Sequence, residues 1–140
     1  MRQYELLLAP IAAWLMAQGI KFVISLRKDG LQFQDLYVSG GFPSSHTAFV
    51  ISVSSLIGLR GGFDQPLFAA MATVSALVIY DAVGVRRSSG EQAVAIKELA
   101  DKAGKKLVSR MHGAKGHTPI EVLGGLAVGF VIALVFYLLV

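Results

Sequence analysis

From Pro119 to Val140 the chain runs for 22 residues with one charged side chain, Glu121, at its start. A stretch of about 20 apolar residues matches the hydrocarbon thickness of a bilayer, and only a helix satisfies its own backbone there. This one segment therefore commits the chain to a membrane-embedded helical fold. Composition agrees, with 54% hydrophobic residues, only 16% charged and a mean hydropathy of +0.62. Soluble domains carry about 25% charged residues.

Three further apolar stretches precede it. Residues 5–26 form a span that Gln18 and Lys21 interrupt near its end, where a lysine can snorkel or line a pocket. Thr47 to Leu59 is an apolar stretch of 13 residues, which either extends to Phe42 and Phe63 or packs largely inside the bundle. A third span runs from Pro66 to about Val83, after a turn at Arg60-Gly61-Gly62-Phe63-Asp64-Gln65. Arg2 and the Leu6–Trp14 run have the outline of a signal peptide. Glu5 in its charged region and Leu15 at its cleavage point argue against removal, so residues 1–26 are expected in the mature chain.

Residues 84–117 are hydrophilic but patterned. Ser88 with Glu91 and Ser89 with Gln92 read as overlapping capping boxes. Ile96, Leu99, Ala100, Ala103 and Leu107 then fall at helical spacing, with Lys97, Glu98, Asp101, Lys102, Lys105 and Lys106 opposite. Glu98–Lys102 and Asp101–Lys105 are spaced for ion pairs. The segment predicts an amphipathic helix lying on the membrane or roofing the bundle. The expected architecture is a single all-α domain over residues 1–140, an integral membrane bundle of about four transmembrane helices plus one amphipathic interfacial helix. In the last span, Gly125-x3-Gly129 is either a close-packing face or the ordinary glycine content of membrane helices.

Four spans place residues 27–45 and 84–117 on one side, and the termini with the 60–65 turn on the other. Ten basic residues then lie on the first side, eight of them between Arg86 and Lys115, against Arg2 and Arg60 on the second. The positive-inside rule predicts a multi-pass protein of the cell membrane with the first side cytoplasmic. The basic tract lacks any nucleic-acid recognition motif and is flanked by apolar spans, so its expected partner is a bilayer surface or a phosphate. The chain has no cysteine, which excludes thiolate chemistry and disulfides. No clustered histidine pair or carboxylate-rich loop suggests a metal, and no Gly-x-Ser-x-Gly elbow suggests a serine hydrolase.

Two histidines fall at the mouths of apolar helices on the same predicted side. In Gly40-Gly41-Phe42-Pro43-Ser44-Ser45-His46, the serines are candidate caps of a helix whose N-terminus attracts anions. His46 either stands over a bound phosphate or is an interface histidine beside a capping Ser45. In Gly116-His117-Thr118-Pro119-Ile120-Glu121, the carboxylate is spaced to hold one imidazole nitrogen and leave the other nucleophilic. Thr118-x-x-Glu121 is also a capping box with Pro119 at the first helical position, and the two roles are compatible. Tyr80-Asp81-Ala82-Val83-Gly84-Val85-Arg86-Arg87 ends the third span at the same surface. Its arginines suit bidentate phosphate contacts or a membrane anchor, and Asp81 suits orienting one of them or capping the helix. His112 has no partner in the pattern and is expected to be solvent-exposed.

These motifs, in this order, resemble the type-2 phosphatidic acid phosphatase superfamily, which also holds acid phosphatases and vanadium-dependent haloperoxidases. Its pattern is Lys-x6-Arg-Pro, then Pro-Ser-Gly-His, then Ser-Arg-x5-His-x3-Asp. Gly-Gly-Phe-Pro-Ser-Ser-His, Tyr-Asp-Ala-Val-Gly-Val-Arg-Arg and Gly-His-Thr-Pro-Ile-Glu-Val are most similar to its small divergent branch. The likeness covers about residues 18–130. It implies a vanadate-sensitive hydrolase of phospholipid metabolism that needs no metal or other cofactor and acts on a membrane lipid phosphate. It further implies His117 as nucleophile, Glu121 as its acidic partner and His46 as proton donor to the leaving oxygen. Ser44 matches the phosphate-binding serine, and Ser45 replaces a glycine whose N–H meets phosphate.

Lys21-x6-Lys28 has the first motif's spacing without its Arg-Pro, and Lys21 is the preferred match. Ser109-Arg110 precedes His117 by one residue more than the pattern, which makes Arg110 a further phosphate ligand by resemblance. Arg86 and Arg87 are expected to replace the missing arginine, supported by Asp81 and Tyr80. The alternative is a non-catalytic carrier or assembly factor that binds phospholipid headgroups. The short spans are compatible with a homodimer.

Overall fold

In a computed structural model, which describes residues 3–28, 41–104 and 116–139, these described residues are helical with short connections and contain no strand. The helices are α1 (Gln3–Lys28), α2 (Ser45–Gly61), α3 (Pro66–Val83), α4 (Val85–Lys102) and α5 (Pro119–Leu139). Three helical stretches are long and apolar enough to cross a membrane: Tyr4–Arg27, the α3–α4 run from Pro66, and Pro119–Leu139. The chain is thus an all-α, multi-pass membrane bundle.

The helix ends follow local chemistry. Ser44 caps α2, its hydroxyl accepting the Thr47 N–H. Pro66 stands at the start of α3, where a missing N–H has no cost. Gly62 closes α2 at a φ of 103°, in the region that favours glycine. Gly84 separates α3 from α4.

α2 is the buried centre and packs against α1, α3 and α5. With 17 residues it is about 25 Å long, short for a crossing. Of the two options its sequence left open, packing inside the bundle is the one realised. Its neighbours approach through small residues, because apolar side chains gain nothing by leaving lipid and close van der Waals contact must hold membrane helices together. Ala9, Ala13 and Ala17 of α1 are fully buried, the first beside Leu56 and Ala133, the others beside Ala48. Gly125 and Gly129 are a real packing face. A Cβ on Gly125 would lie 2.5 Å from the Ser44 carbonyl oxygen, and one on Gly129 2.6 Å from that of Ala48. The buried Ser75 hydroxyl sits 3.2 Å from the Val50 carbonyl across the α2–α3 contact.

α2 and α5 run parallel, with α1 and α3 antiparallel to them. The end holding the α1 N-terminus and the α2 and α5 C-termini is tied by Arg60. Its Nε lies 3.2 Å from the buried Glu5 carboxylate, its Nη2 donates to the Phe136 carbonyl, and its guanidinium stacks over Tyr137. Both histidine motifs lie at the opposite end, as the span count predicts.

The hydrophilic segment differs from its expected form. α4 begins at Val85, so Ser88 and Ser89 lie inside the helix and form no capping box; Ser88 instead accepts from the Gln92 side chain. The helix begins early because only Gly84 interrupts the run out of α3. Among the described helices α4 touches α3 alone and does not roof the bundle. Ile96 and Leu99 on its apolar face are exposed. Glu98–Lys102 is not among the ion pairs of the described residues, while Asp101–Lys105 and His112 lie outside them.

Candidate active site

The His117 side chain is buried, 1% exposed, where α5 begins. Its backbone N–H donates to the Ala82 carbonyl at 3.0 Å, which pins the loop to the end of α3. Gly116 makes this docking possible: a Cβ there would collide with the backbone of Arg87. The imidazole Nδ1 lies 3.0 Å from Glu121 Oε2, and the same oxygen accepts the Thr118 N–H at 3.1 Å. The capping box and the histidine contact thus coexist on one carboxylate oxygen. His117 Nε2 is buried and has no hydrogen-bond partner.

His46 stands in the first turn of α2, its ring centroid 6.5 Å from that of His117 with the planes at 60°. Two contacts bring the loops together. The Ser44 N–H donates to the Glu121 carbonyl at 2.8 Å. The Phe42 ring fills the place a side chain on Gly124 would occupy. The loop before one histidine therefore rests on the helix that follows the other.

Burial pushes the His117 imidazole below its ordinary pKa, because the charged form loses hydration. The hydrogen bond that the imidazole donates to Glu121 opposes this, and the positive charges of Lys21 and Arg86 add to the lowering. Lys21, half-buried late in α1, thus belongs to the same electrostatic cluster. Arg86 donates from Nε to Asp81 Oδ2 at 2.6 Å, both side chains being 38% exposed. A guanidinium held through Nε keeps its two terminal nitrogens for another acceptor. Asp81 orients Arg86, one of its two expected roles.

The other expected site residues are placed as follows. Arg87 pairs with Glu91 at 3.2 Å, four residues along α4, and both side chains are exposed. The pairing follows from helix spacing once α4 starts at Val85. Tyr80 is 68% exposed. The fully buried Ser44 hydroxyl accepts from the Thr47 N–H and Thr47 Oγ1, at 3.4 and 2.9 Å. Ser44 is the N-cap of α2, and Ser45 is the buried first residue of the helix. The Lys28 side chain and Arg110 lie outside the described residues. Among the described residues no three His, Asp or Glu side chains converge on one point. Sequence reasoning missed Phe42, Gly116, Gly124 and the Ala82 carbonyl. Only the Arg87-x3-Glu91 spacing carried a readable signal.

The sequence profile of the Divergent PAP2 family matches residues 2–132. YuiD, an uncharacterized membrane protein of Bacillus subtilis (strain 168), is 35% identical over 147 aligned positions, covering 92% of this chain and 91% of its own. No solved structure matches the chain. The profile covers nearly every residue that builds the helix bundle and the histidine pair, and the chain belongs to the divergent PAP2 family.

Proposed function

We propose that this protein is a metal-independent lipid phosphate phosphatase that works through a phosphohistidine. One observation carries the reading: Glu121 holds Nδ1 of a buried histidine while Nε2, without a partner, is left beside a second imidazole. A tautomer with its proton on Nδ1 leaves the Nε2 lone pair free. In the first step Nε2 of His117 bonds to phosphorus and the phosphorus–oxygen bond to the lipid breaks. His46 gives its proton to the departing oxygen. In the second step water attacks the phosphoryl group, the phosphorus–nitrogen bond breaks, and His46 takes the water proton as inorganic phosphate leaves. Lys21 and the free edge of Arg86 balance the phosphoryl charge, together with first-turn N–H groups of α2 at Ser45 and His46. The excess of basic residues at this end favours a cytoplasmic site in the cell membrane.

A second reading, a headgroup-binding carrier or assembly factor without catalysis, is favoured by one finding. Arg87 is paired with Glu91, which leaves a phosphate one free cation fewer than the expected set. One assay separates the two. Protein purified in detergent is given a panel of lipid phosphates, and wild type is compared with His117→Ala. The phosphatase reading expects phosphate release that vanadate inhibits, chelator leaves alone, and His117→Ala abolishes. Binding without release by a folded wild type supports the carrier.

A further inference from the structure

α1, α3 and α5 enclose α2 on every side but one. Thr47 and Ile51 meet Gly125 and Gly129 of α5. Ala48 packs on Ala13 and Ala17 of α1, and the Val50 carbonyl accepts from Ser75 of α3. At about 100° per residue, His46, Phe49 and Val53 fall on the remaining side, between α1 and α3. Among the described helices these two do not pack against each other. A slot results, and it closes with depth. His46 is exposed and Phe49 is 40% exposed, Val53 is half-buried, and Leu56 and Ile57 seal the bottom at 0% and 3%. From His46 to Val53 the slot runs for about 10 Å at 1.5 Å per residue. Its mouth lies at the site. Phe49 is one turn below His46 on the same face, and helical side chains lean toward the N-terminus, which tilts the ring back toward the imidazole.

We infer that Phe49 is a specificity-determining residue, whose ring meets the first carbon atoms of the alcohol carried on the leaving oxygen. The inference rests on the phosphatase reading, and it adds the side of the phosphate on which that alcohol lies. In phosphoryl transfer the attacking and leaving atoms stand roughly in line across phosphorus. His117 attacks from the closed side, since its side chain is 1% exposed. The leaving oxygen therefore points away from His117 toward His46, and the outer side of His46 is the mouth of the slot. An alcohol leaving there has the Phe49 ring as its first neighbour on α2. The ring favours an alcohol whose carbons next to the ester oxygen are apolar. A sugar or polyol would set its hydroxyls against the ring, where they lose water and gain no partner.

The test uses full-length protein in detergent and two phosphate monoesters, hexyl phosphate and glycerol phosphate. Wild type is expected to show the higher kcat/KM on hexyl phosphate. Phe49→Ala should reduce that preference about tenfold, and Phe49→Leu, which stays apolar, should keep most of it. Competitive inhibition by inorganic phosphate, which carries no alcohol, should be the same in wild type and both variants. The ring is partly exposed, so both variants should melt close to wild type. An unchanged preference would mean that the ring only faces bilayer lipid, and it would overturn the inference. An equal loss on both esters, or weaker inhibition by phosphate in step with the loss, would overturn it as well. A folded wild type that releases phosphate from neither ester nor from any lipid phosphate removes the phosphatase reading itself, and the role of Phe49 with it.

Discussion

His117 Nδ1 stands 3.0 Å from Glu121 Oε2, and that oxygen also holds the first turn of α5 through Thr118. A single acceptor thus fixes both the imidazole tautomer and the helix start. Glu121→Gln keeps an acceptor but removes its charge, and turnover is expected to fall about tenfold with KM little changed. Glu121→Ala removes both functions, with a loss of about 100-fold and about 1 kcal/mol of helix stability. Steady-state assay and thermal unfolding in detergent measure the two effects.

For the proposed phosphatase the acid limb of kcat/KM is expected below the ordinary histidine value of about 6.5, because burial lowers the His117 pKa and the proposed nucleophile must be unprotonated. Since the Glu121 hydrogen bond opposes the lowering, Glu121→Gln should move the limb further toward acid. The sign for stability agrees. With the folded value depressed, the contribution is complete above the unfolded value and is lost as the pH falls through the folded one. A pH profile of wild type and Glu121→Gln checks both directions; a limb moving toward alkali would contradict this electrostatic account.

Arg86 and Arg87 are adjacent in sequence and unequal in place. Arg86→Ala removes the cation beside the histidines and should lower kcat/KM by about 100-fold, the scale of losing one preorganised donor. Arg87→Ala removes only an exposed pair with Glu91, and stability should change by less than about 0.5 kcal/mol. Equal activity losses for the two variants would return Arg87 to the phosphate.

Gly125→Ala places a methyl 2.5 Å from the Ser44 carbonyl oxygen. The helices must part, at a cost of about 1–3 kcal/mol, and the two histidines move apart with them. Gly19→Ala is the control: its Cβ meets nothing, so the helix gains propensity without a clash. Melting temperatures of the two variants should move in opposite directions.

Arg60→Ala leaves the Glu5 carboxylate, 1% exposed, without its partner. The expected loss is about 3 kcal/mol, read as a lower melting temperature. Adding Glu5→Gln should recover part of it, which a purely packing role for Arg60 would not allow.

Much of this protein is written in its order of residues. The 22-residue run after His117 requires a membrane helix, because an apolar segment of that length has no other solvent. The parity of the spans puts His46 and His117 at one end without any knowledge of packing. The four-residue step from His117 to Glu121 brings their side chains together, because helical geometry is local. Other features depend on contacts between distant segments, to which periodicity is blind. Only the fold decided that α2 is the buried core, that Gly125 and Gly129 meet the backbone of α2, and that Phe42 rests on Gly124. The choice of cations was likewise tertiary. Arg86 and Arg87 look alike in the sequence, but they point about 100° apart around a helix, and the early start of α4 gave Asp81 to one and Glu91 to the other.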